Sequence, residues 1–224
     1  PTLDEYLTEM ERWLDAAGRL LTAEGSLLLH CDHHASPYLA QLCDRRFGFG
    51  DRVGGGPGFR NEIIWSYGLG GSSSRFHPRK HDTIFWYTKG ERWFFEPFRI
   101  PATSARMRGQ LKKAPDVWDI PSINNMARER TGYPTQKPLA LLERLVACHA
   151  PVGGVVADLC CGSGTTLEAA VRLGRDAWGG DASDGAIRVS TSRLLAAGYG
   201  VECWSREETA THAAHSQTGA IQAA

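Results

Sequence analysis

The sequence has no long hydrophobic run, no export signal, no Cys-x-x-Cys pair and no net charge. Its 224 residues carry 25 basic and 25 acidic side chains. No apolar stretch approaches the roughly 18 residues that a membrane-spanning helix needs. Residues 1–25 lack the basic start and apolar centre of a signal peptide. The six cysteines show no disulfide-framework spacing, so we expect reduced thiols, no membrane association and a cytoplasmic location.

The composition that remains is typical of one globular domain. Hydrophobic residues make up 42% of the chain and charged residues 22%, which is usual for globular proteins. A chain of this length buries about 70% of its unfolded surface without a disulfide or metal to support it. We therefore predict one domain over residues 1–204, followed by a disordered, frayed tail at 205–224.

Although the chain has no net charge, the segment between residues 66 and 113 is strongly basic. Ten basic residues stand there against three acidic ones, an excess of seven positive charges, and eleven aromatic residues lie between 59 and 98. Basic side chains interleaved with rings are typical of a surface that binds nucleic acid. A solvated face over an aromatic core would give the same composition, because Phe85, Trp86 and Tyr87 lie in a strand-like alternation.

The order of elements in the second half of the chain indicates a parallel α/β sheet. We predict a strand at 155–159, a helix at 165–174, a strand at 176–181, a helix at 184–197 and a strand at 199–203. This β-α-β-α-β order is typical of a parallel sheet with helices on both faces. Upstream, the hydrophobic spacing predicts a helix capped by Thr2, strands at 26–31, 61–66 and 82–88, an irregular segment at 90–130, and a helix capped by Thr135.

A glycine loop between a predicted strand and a predicted helix is the sharpest chemical signal. It reads Asp-Leu-Cys-Cys-Gly-Ser-Gly-Thr-Thr over residues 158–166. Gly162 and Gly164 allow a tight turn and close approach to a ligand, and the helix beginning near Thr165 offers free N–H groups. Asp181, at the end of the next predicted strand, can accept hydrogen bonds from ribose hydroxyls. The pattern indicates a nucleoside-containing cofactor, with a tight turn beside a surface aspartate as the alternative.

Two common nucleotide-binding motifs are missing from this loop. The dinucleotide fingerprint needs a third glycine three positions after the second, where this chain has Leu167, so nicotinamide and flavin cofactors are disfavoured. A P-loop needs a Gly-Lys pair, but Gly164 is followed by Thr165, so ATP hydrolysis is disfavoured as well.

Residues 158–166 resemble the cofactor loop of the DNA amino-methyltransferases, which transfer a methyl group from S-adenosylmethionine to adenine N6 or cytosine N4. Residues 131–139 (Thr-Gly-Tyr-Pro-Thr-Gln-Lys-Pro-Leu) resemble the second cofactor segment of this family, which precedes the loop in the beta-type order. The resemblance extends from residue 2 to about residue 195. It implies a Rossmann-like α/β fold with a mostly parallel sheet, helices on both faces, an inserted DNA-recognition region at 52–130 and a cofactor-binding part at 131–204.

The resemblance also implies the residues of the site. The loop would hold the methionine end of the cofactor, Asp181 the ribose, and residues 135–137 the amino-acid moiety. The implied cofactor-binding residues are Asp158, Cys160, Gly162, Ser163, Gly164, Thr165, Asp181, Thr135, Gln136 and Lys137. Double-stranded DNA is the implied partner, and the candidates for phosphate contacts are Arg75, Arg79, Lys80, Arg106, Arg108, Lys112 and Lys113.

The catalytic tetrapeptide of the family is absent from residues 1–224. It consists of Asp, Asn or Ser, then Pro-Pro, then Tyr, Phe or Trp, and supplies acceptors for the exocyclic amine and a ring for the flipped base. We therefore assign no catalytic residue, and expect that the chain lacks its amino-terminal catalytic strand and is inactive alone. Adenine N6 is favoured as the target because the family is mostly of that kind. A non-catalytic nucleic-acid-binding remnant is the main alternative, and a nucleotide-dependent oxidoreductase is a weaker one.

The run His-Cys-Asp-His-His at 30–34 invites a zinc interpretation, because His and Cys are zinc ligands. Consecutive residues in a strand alternate between its two faces, so we expect no metal site here. Cys160 and Cys161 are expected to pack within the loop rather than act as nucleophiles, since no base is paired with either of them.

Overall fold

The computed structural model describes residues 2–68, 72–124 and 126–204. The predicted tail at 205–224 lies outside the described residues. No helix in the described ranges is long and apolar enough to cross a membrane. The elements, in chain order, are α1 (Leu3–Leu20), β1 (Ser26–Cys31), α2 (Ser36–Phe47), β2 (Gly58–Ser66), β3 (His81–Thr88), β4 (Arg99–Pro101), β5 (Leu111–Lys113), β6 (Val117–Asp119), α3 (Leu139–His149), β7 (Val155–Asp158), α4 (Thr165–Arg172), β8 (Asp176–Gly179) and α5 (Asp184–Ala196).

The main sheet has four strands in the order β1-β3-β2-β6. Strand β3 runs antiparallel to β1 and β2, whereas β6 runs parallel to β2. Strands β7 and β8 pair in parallel as a second sheet. The prediction of a mostly parallel sheet is therefore wrong, because the sheet is mixed. A parallel pair needs a long crossover, usually a helix, and the described part of the connection between β2 and β3 contains no helix.

Helices cover both faces of the four-stranded sheet, as predicted for an α/β fold. Phe85 and Tyr87 of β3 pack in one cluster with Leu39 of α2 and with α1. Ile84, which points to the opposite face, packs with Leu141 and other residues of α3. Successive side chains of a strand alternate between faces, so one strand contributes to both cores. The rings of β3 are thus core residues rather than part of a nucleic-acid surface.

The region from 90 to 130, predicted to be irregular, contains three short strands. Strands β4 and β5 form an antiparallel hairpin, and β6 joins the main sheet. Strands of three residues are too short to show a period of two in the sequence. Strands β2, β3 and β6 also lie within the region 52–130 that was expected to be an insertion. Much of that region therefore belongs to the main sheet, and the β4–β5 hairpin is the part that forms a separate sheet.

The N-terminal cap was predicted correctly for α1 and wrongly for α3. At α1 the expected capping box is confirmed: Glu5 donates its N–H to Thr2 Oγ1 at 3.3 Å, and Thr2 donates its N–H to Glu5 Oε2 at 2.7 Å. Thr135 does not cap α3, which begins only at Leu139 after Pro138. Lys137 precedes Pro138, and the residue before a proline is disfavoured in the helical region. The helix therefore begins after Lys137.

The strand predicted at 199–203 is also wrong. Tyr199 and Val201 pack against the cluster formed by Cys161, Leu167 and Leu194, as one face of a strand would. Their backbone, however, joins no ladder in the described residues. A strand also needs backbone hydrogen bonds to a neighbouring strand, and alternating burial of the side chains does not supply them.

Candidate functional site

The glycine loop connects the end of β7 to the first residue of α4. Gly162 and Gly164 both have positive φ, +49° and +73°. A Cβ at Gly164 would lie 2.7 Å from the Cβ of Ser190 on α5, closer than real side chains approach. The turn therefore needs glycine both for its backbone conformation and for its contact with α5.

Asp181 lies beside this loop, two residues after β8. The Gly162 N–H donates to Asp181 Oδ2 at 2.9 Å, and the Ser183 N–H donates to Oδ1 at the same distance. Each carboxylate oxygen has a further acceptor direction for a ligand hydroxyl. The structure thus brings together the glycine turn and the acid that the sequence placed 19 residues apart.

Hydrogen bonds between residues of the loop stabilise the turn. Asp158 Oδ1 accepts from the Cys160 N–H at 3.1 Å, and the buried hydroxyls of Ser163 and Thr165 lie 3.0 Å apart. Burial, followed by the charges of Asp158 and Asp181, raises the pKa of the Cys160 thiol. Burial likewise raises the pKa of Cys161 to about 11. Both thiols therefore remain protonated at neutral pH, which suits packing rather than nucleophilic chemistry.

The second predicted cofactor segment packs directly on the loop through a ring that was not among the predicted site residues. The Tyr133 ring lies so close to Gly162 that a Cβ there would be 3.1 Å from Tyr133 Cε1. Gln136 is engaged within its own segment, since its Nε2 donates to the Glu129 carbonyl at 2.6 Å and its Oε1 accepts from the Thr131 N–H at 2.8 Å. Thr135 is exposed. Glycine at 162 therefore also makes room for this ring.

Lys137 lies beside a polar cluster on the main sheet. Its ammonium lies 3.8 Å from Asp82 Oδ2, which is also 2.9 Å from His30 Nε2, and the Tyr67 hydroxyl lies 3.5 Å from Asp82 Oδ1. Burial alone would raise the pKa of Asp82, but the hydrogen bond with His30 and the charges of His30 and Lys137 hold this pKa below its ordinary value. Asp82 is therefore a carboxylate at neutral pH.

This polar cluster lies at the edge of the sheet where ligands bind in open α/β folds. His30 is near the carboxyl end of β1, Tyr67 follows the carboxyl end of β2, and Asp82 is the second residue of the antiparallel strand β3. Ligands in such folds bind outside the carboxyl ends of the parallel strands. The cluster was not predicted from the sequence, because 52 residues separate His30 from Asp82 and no local pattern joins them.

The stretch after β1 does bring possible metal ligands together, although the sequence predicted that they would diverge. One ligand atom each of Asp32, His33 and His34 lies within 4.8 Å of the others. Strand alternation does not apply to them, because β1 ends at Cys31 and these residues form a turn. His34 Nδ1 lies 2.8 Å from Asp32 Oδ2, and Asp32 Oδ1 accepts the backbone N–H groups of His34 and Ala35. These contacts account for the Asp32 carboxylate as a support of the turn that precedes α2.

The predicted DNA-contacting residues lie on two surface segments. Arg75, Arg79 and Lys80 lie in the connection between β2 and β3, and the others lie on or beside the β4–β5 hairpin. Five of the seven are exposed and form no ion pair within the described residues: Arg75, Arg79, Arg106, Arg108 and Lys113. The guanidinium of Arg79 lies 4.8 Å from the centre of the Phe76 ring. Their role in binding DNA stays a prediction.

Known proteins are similar to this chain in sequence and in fold. The Type II methyltransferase M.ScaI of Streptomyces caespitosus is 26% identical over 212 residues, which are 87% of this chain and 69% of the relative. M.HpaI of Haemophilus parainfluenzae is 26% identical over 196 residues, 85% of this chain and 60% of the relative. The chain thus spans only about two thirds of the length of these relatives.

A solved structure extends the comparison to the fold. A Thermus thermophilus protein assigned as a DNA modification methylase, in complex with S-adenosyl-L-methionine, is 25% identical. It matches 86% of this chain and 78% of its own, with a TM-score of 0.59. A family profile described as DNA methylase, for the N6 and N4 enzymes, matches residues 2–192. Since this match covers most of the chain, the protein belongs to the N6/N4 DNA methylase family.

Proposed function

We propose that this chain binds S-adenosylmethionine at the glycine loop and serves the transfer of its methyl group to the exocyclic amine of a base flipped out of double-stranded DNA. Adenine N6 is favoured over cytosine N4 as the acceptor. The observation that supports the proposal is the 2.9 Å hydrogen bond from the Gly162 N–H to Asp181 Oδ2, which joins the glycine turn to the carboxylate that we propose binds the ribose. Family membership supplies the reaction type.

The charges around the loop favour this cofactor over a dinucleotide. The carboxylates of Asp158 and Asp181 both lie near enough to the Cys160 thiol to raise its pKa, after the larger effect of burial. The loop itself, residues 158–166, contains no basic residue. A pyrophosphate would be repelled by two carboxylates, whereas a sulfonium-bearing nucleoside is attracted. The ligand's own carboxylate would find N–H groups at the start of α4.

Calorimetric titration tests the cofactor assignment. We expect saturable, weak binding of S-adenosylhomocysteine and no binding of NAD. Asp181→Asn keeps the shape of the side chain but removes its charge, and a hydrogen bond to a charged group contributes about 1.5–3 kcal/mol, so the affinity should fall about tenfold or more. Asp176→Asn, at the exposed opposite end of β8, is the matched control and should change nothing. Tighter binding of NAD than of S-adenosylhomocysteine would reject the assignment.

The acceptor chemistry gives the second part of the proposal. An exocyclic amine conjugated to its ring is a poor nucleophile, and extruding its base from the duplex costs a few kcal/mol. Residues 1–224 contain no Pro-Pro tetrapeptide to supply the acceptors and the stacking ring. We therefore expect these residues alone to bind DNA without methylating it. Incubation of purified 1–224 with methyl-free duplex DNA and labelled cofactor measures this directly, and steady incorporation of label would contradict it.

A further inference from the structure

A buried guanidinium links three separate segments around the candidate cofactor site. Arg193, on α5, has only 6% of its side chain exposed. Its Nε donates to Glu168 Oε2 on α4, its Nη1 donates to Thr165 Oγ1 at 3.0 Å, and its Nη2 lies 3.9 Å from Glu129 Oε2. Thr165 is the first residue after the glycine turn, so one side chain joins α5, the loop and the segment that precedes α3.

Glu129 connects Arg193 to the second cofactor segment, residues 131–139. Its Oε2 accepts the backbone N–H of Leu139 at 3.0 Å, which satisfies the first turn of α3 in place of the missing cap. Its backbone carbonyl accepts from Gln136 at 2.6 Å. Glu129 therefore holds Leu139 through its carboxylate and Gln136 through its carbonyl, within the segment 129–139 whose Tyr133 ring packs on Gly162.

Acids and bases alternate along this network, so each of the two buried charges at its centre, Arg193 and Glu168, has opposite charges beside it. Glu168 Oε1 lies 3.3 Å from Arg172 Nη1, and Arg172 Nε lies 3.0 Å from Glu143 Oε1 on α3. Acids and bases thus alternate in the order Glu143, Arg172, Glu168, Arg193, Glu129. A guanidinium presents several donors in a fixed plane, whereas a lysine ammonium is a single point charge and cannot reach three partners in these directions.

Polar contacts have particular weight here because the segment and α5 are not closely packed beside them. An open cavity of about 350 Å³ lies at their junction, lined by Thr131, Arg188, Val189, Ser192 and Arg193. This groove is open to solvent, so beside it the contact between Arg193 and Glu129 joins the segment 129–139 to α5.

We propose that Arg193 is a positioning residue that holds the segment 129–139 against the glycine loop and so preforms the cofactor site. The identity of the ligand rests on the proposed function, but the coupling between the two segments does not.

The experiment compares Arg193→Lys with Arg175→Lys. As whole residues both arginines are 8% exposed. The Arg175 guanidinium donates to the backbone carbonyls of Ala150 and Leu173, and within the described residues its side chain forms no hydrogen bond with either cofactor segment. Hydrogen exchange measured without ligand should rise at least tenfold in residues 129–139 and 158–166 for Arg193→Lys. For Arg175→Lys the rise should be confined to the residues around 150 and 173. The affinity for S-adenosylhomocysteine should fall at least tenfold only for Arg193→Lys.

A milder variant keeps the test decisive if Arg193→Lys does not fold. Glu129→Gln can still accept the Leu139 N–H but loses its attraction to Arg193, and its side chain is 34% exposed, so the fold should tolerate it. We expect faster exchange in the same two segments. Unchanged exchange there for both variants, or the same pattern as for Arg175→Lys, would overturn the proposal. Failure of the wild-type chain to bind S-adenosylhomocysteine would instead overturn the proposed function, while the exchange data would still decide the role of Arg193.

Discussion

The imidazole of His149, near the end of α3, makes the fold sensitive to acid. Its Nδ1 donates to the Leu145 carbonyl at 2.9 Å, which fixes the tautomer, because a carbonyl can only accept. Its Nε2 is buried and has no hydrogen-bond partner among the residues that the structure describes. The Trp86 and Phe95 rings lie 4.5 and 5.7 Å from the imidazole, centroid to centroid. Burial lowers the pKa of His149 to about 4, opposed in part by the Leu145 hydrogen bond.

The size and sign of the effect follow from linkage. The unfolded chain takes up a proton at His149 near pH 6.5, whereas the folded chain resists it until about pH 4. Between these values the unfolded state binds more protons, so stability falls as the pH falls. At about 1.36 kcal/mol per pKa unit, the loss is about 2 kcal/mol between pH 7 and pH 5 and reaches about 3 kcal/mol below pH 4. The contribution is fully present above pH 6.5.

Urea unfolding of the wild-type chain and His149→Phe at pH 7 and pH 5 measures this contribution. Phenylalanine cannot titrate and keeps a ring beside Trp86 and Phe95, although its extra volume changes the absolute stability. The comparison therefore uses the difference between the two pH values, which should be about 2 kcal/mol smaller for the variant. His77→Phe, at an exposed position, is the control and should follow the wild type. Equal pH dependence of His149→Phe and the wild type would refute the reasoning.

Two further predictions concern the surface and the cysteines. If the five exposed basic residues each contact a phosphate, log K for duplex DNA should fall with log salt at a slope of about −4.5, from about −0.9 per contact. Arg106→Gln with Lys113→Gln should reduce the slope to about −2.7, and an affinity independent of salt would exclude these contacts. In the native state only the exposed Cys160 and Cys203 should react with a thiol reagent. Cys160 should react slowly because its pKa is raised. In urea all six cysteines should react. Rapid labelling of Cys43 in the native protein would contradict the buried core.

Elements with a strong local signal were predicted well. The capping box of α1, strand β1 and the strand-loop-helix around Gly162 all depend on residues within a few positions of one another. Elements whose formation depends on a distant partner were predicted poorly. Strand β6 has three residues and exists because β2 lies beside it, whereas residues 199–203 have the alternation of a strand but no neighbouring ladder among the described residues.

In the candidate site, too, local features were predicted from the sequence, whereas contacts between distant residues were not. The sequence by itself determined the glycine turn and the acid after the next strand, because positive φ and strand-end geometry are local properties of the chain. Tertiary structure alone decided that Tyr133 covers Gly162, that Lys137 turns to Asp82, and that Arg193 joins two segments. An arginine in the last turn of a helix suits a solvated position as well as a buried one. The approach of Glu168 and Glu129 offsets the cost of burying it, because opposite charges compensate a charge that leaves water.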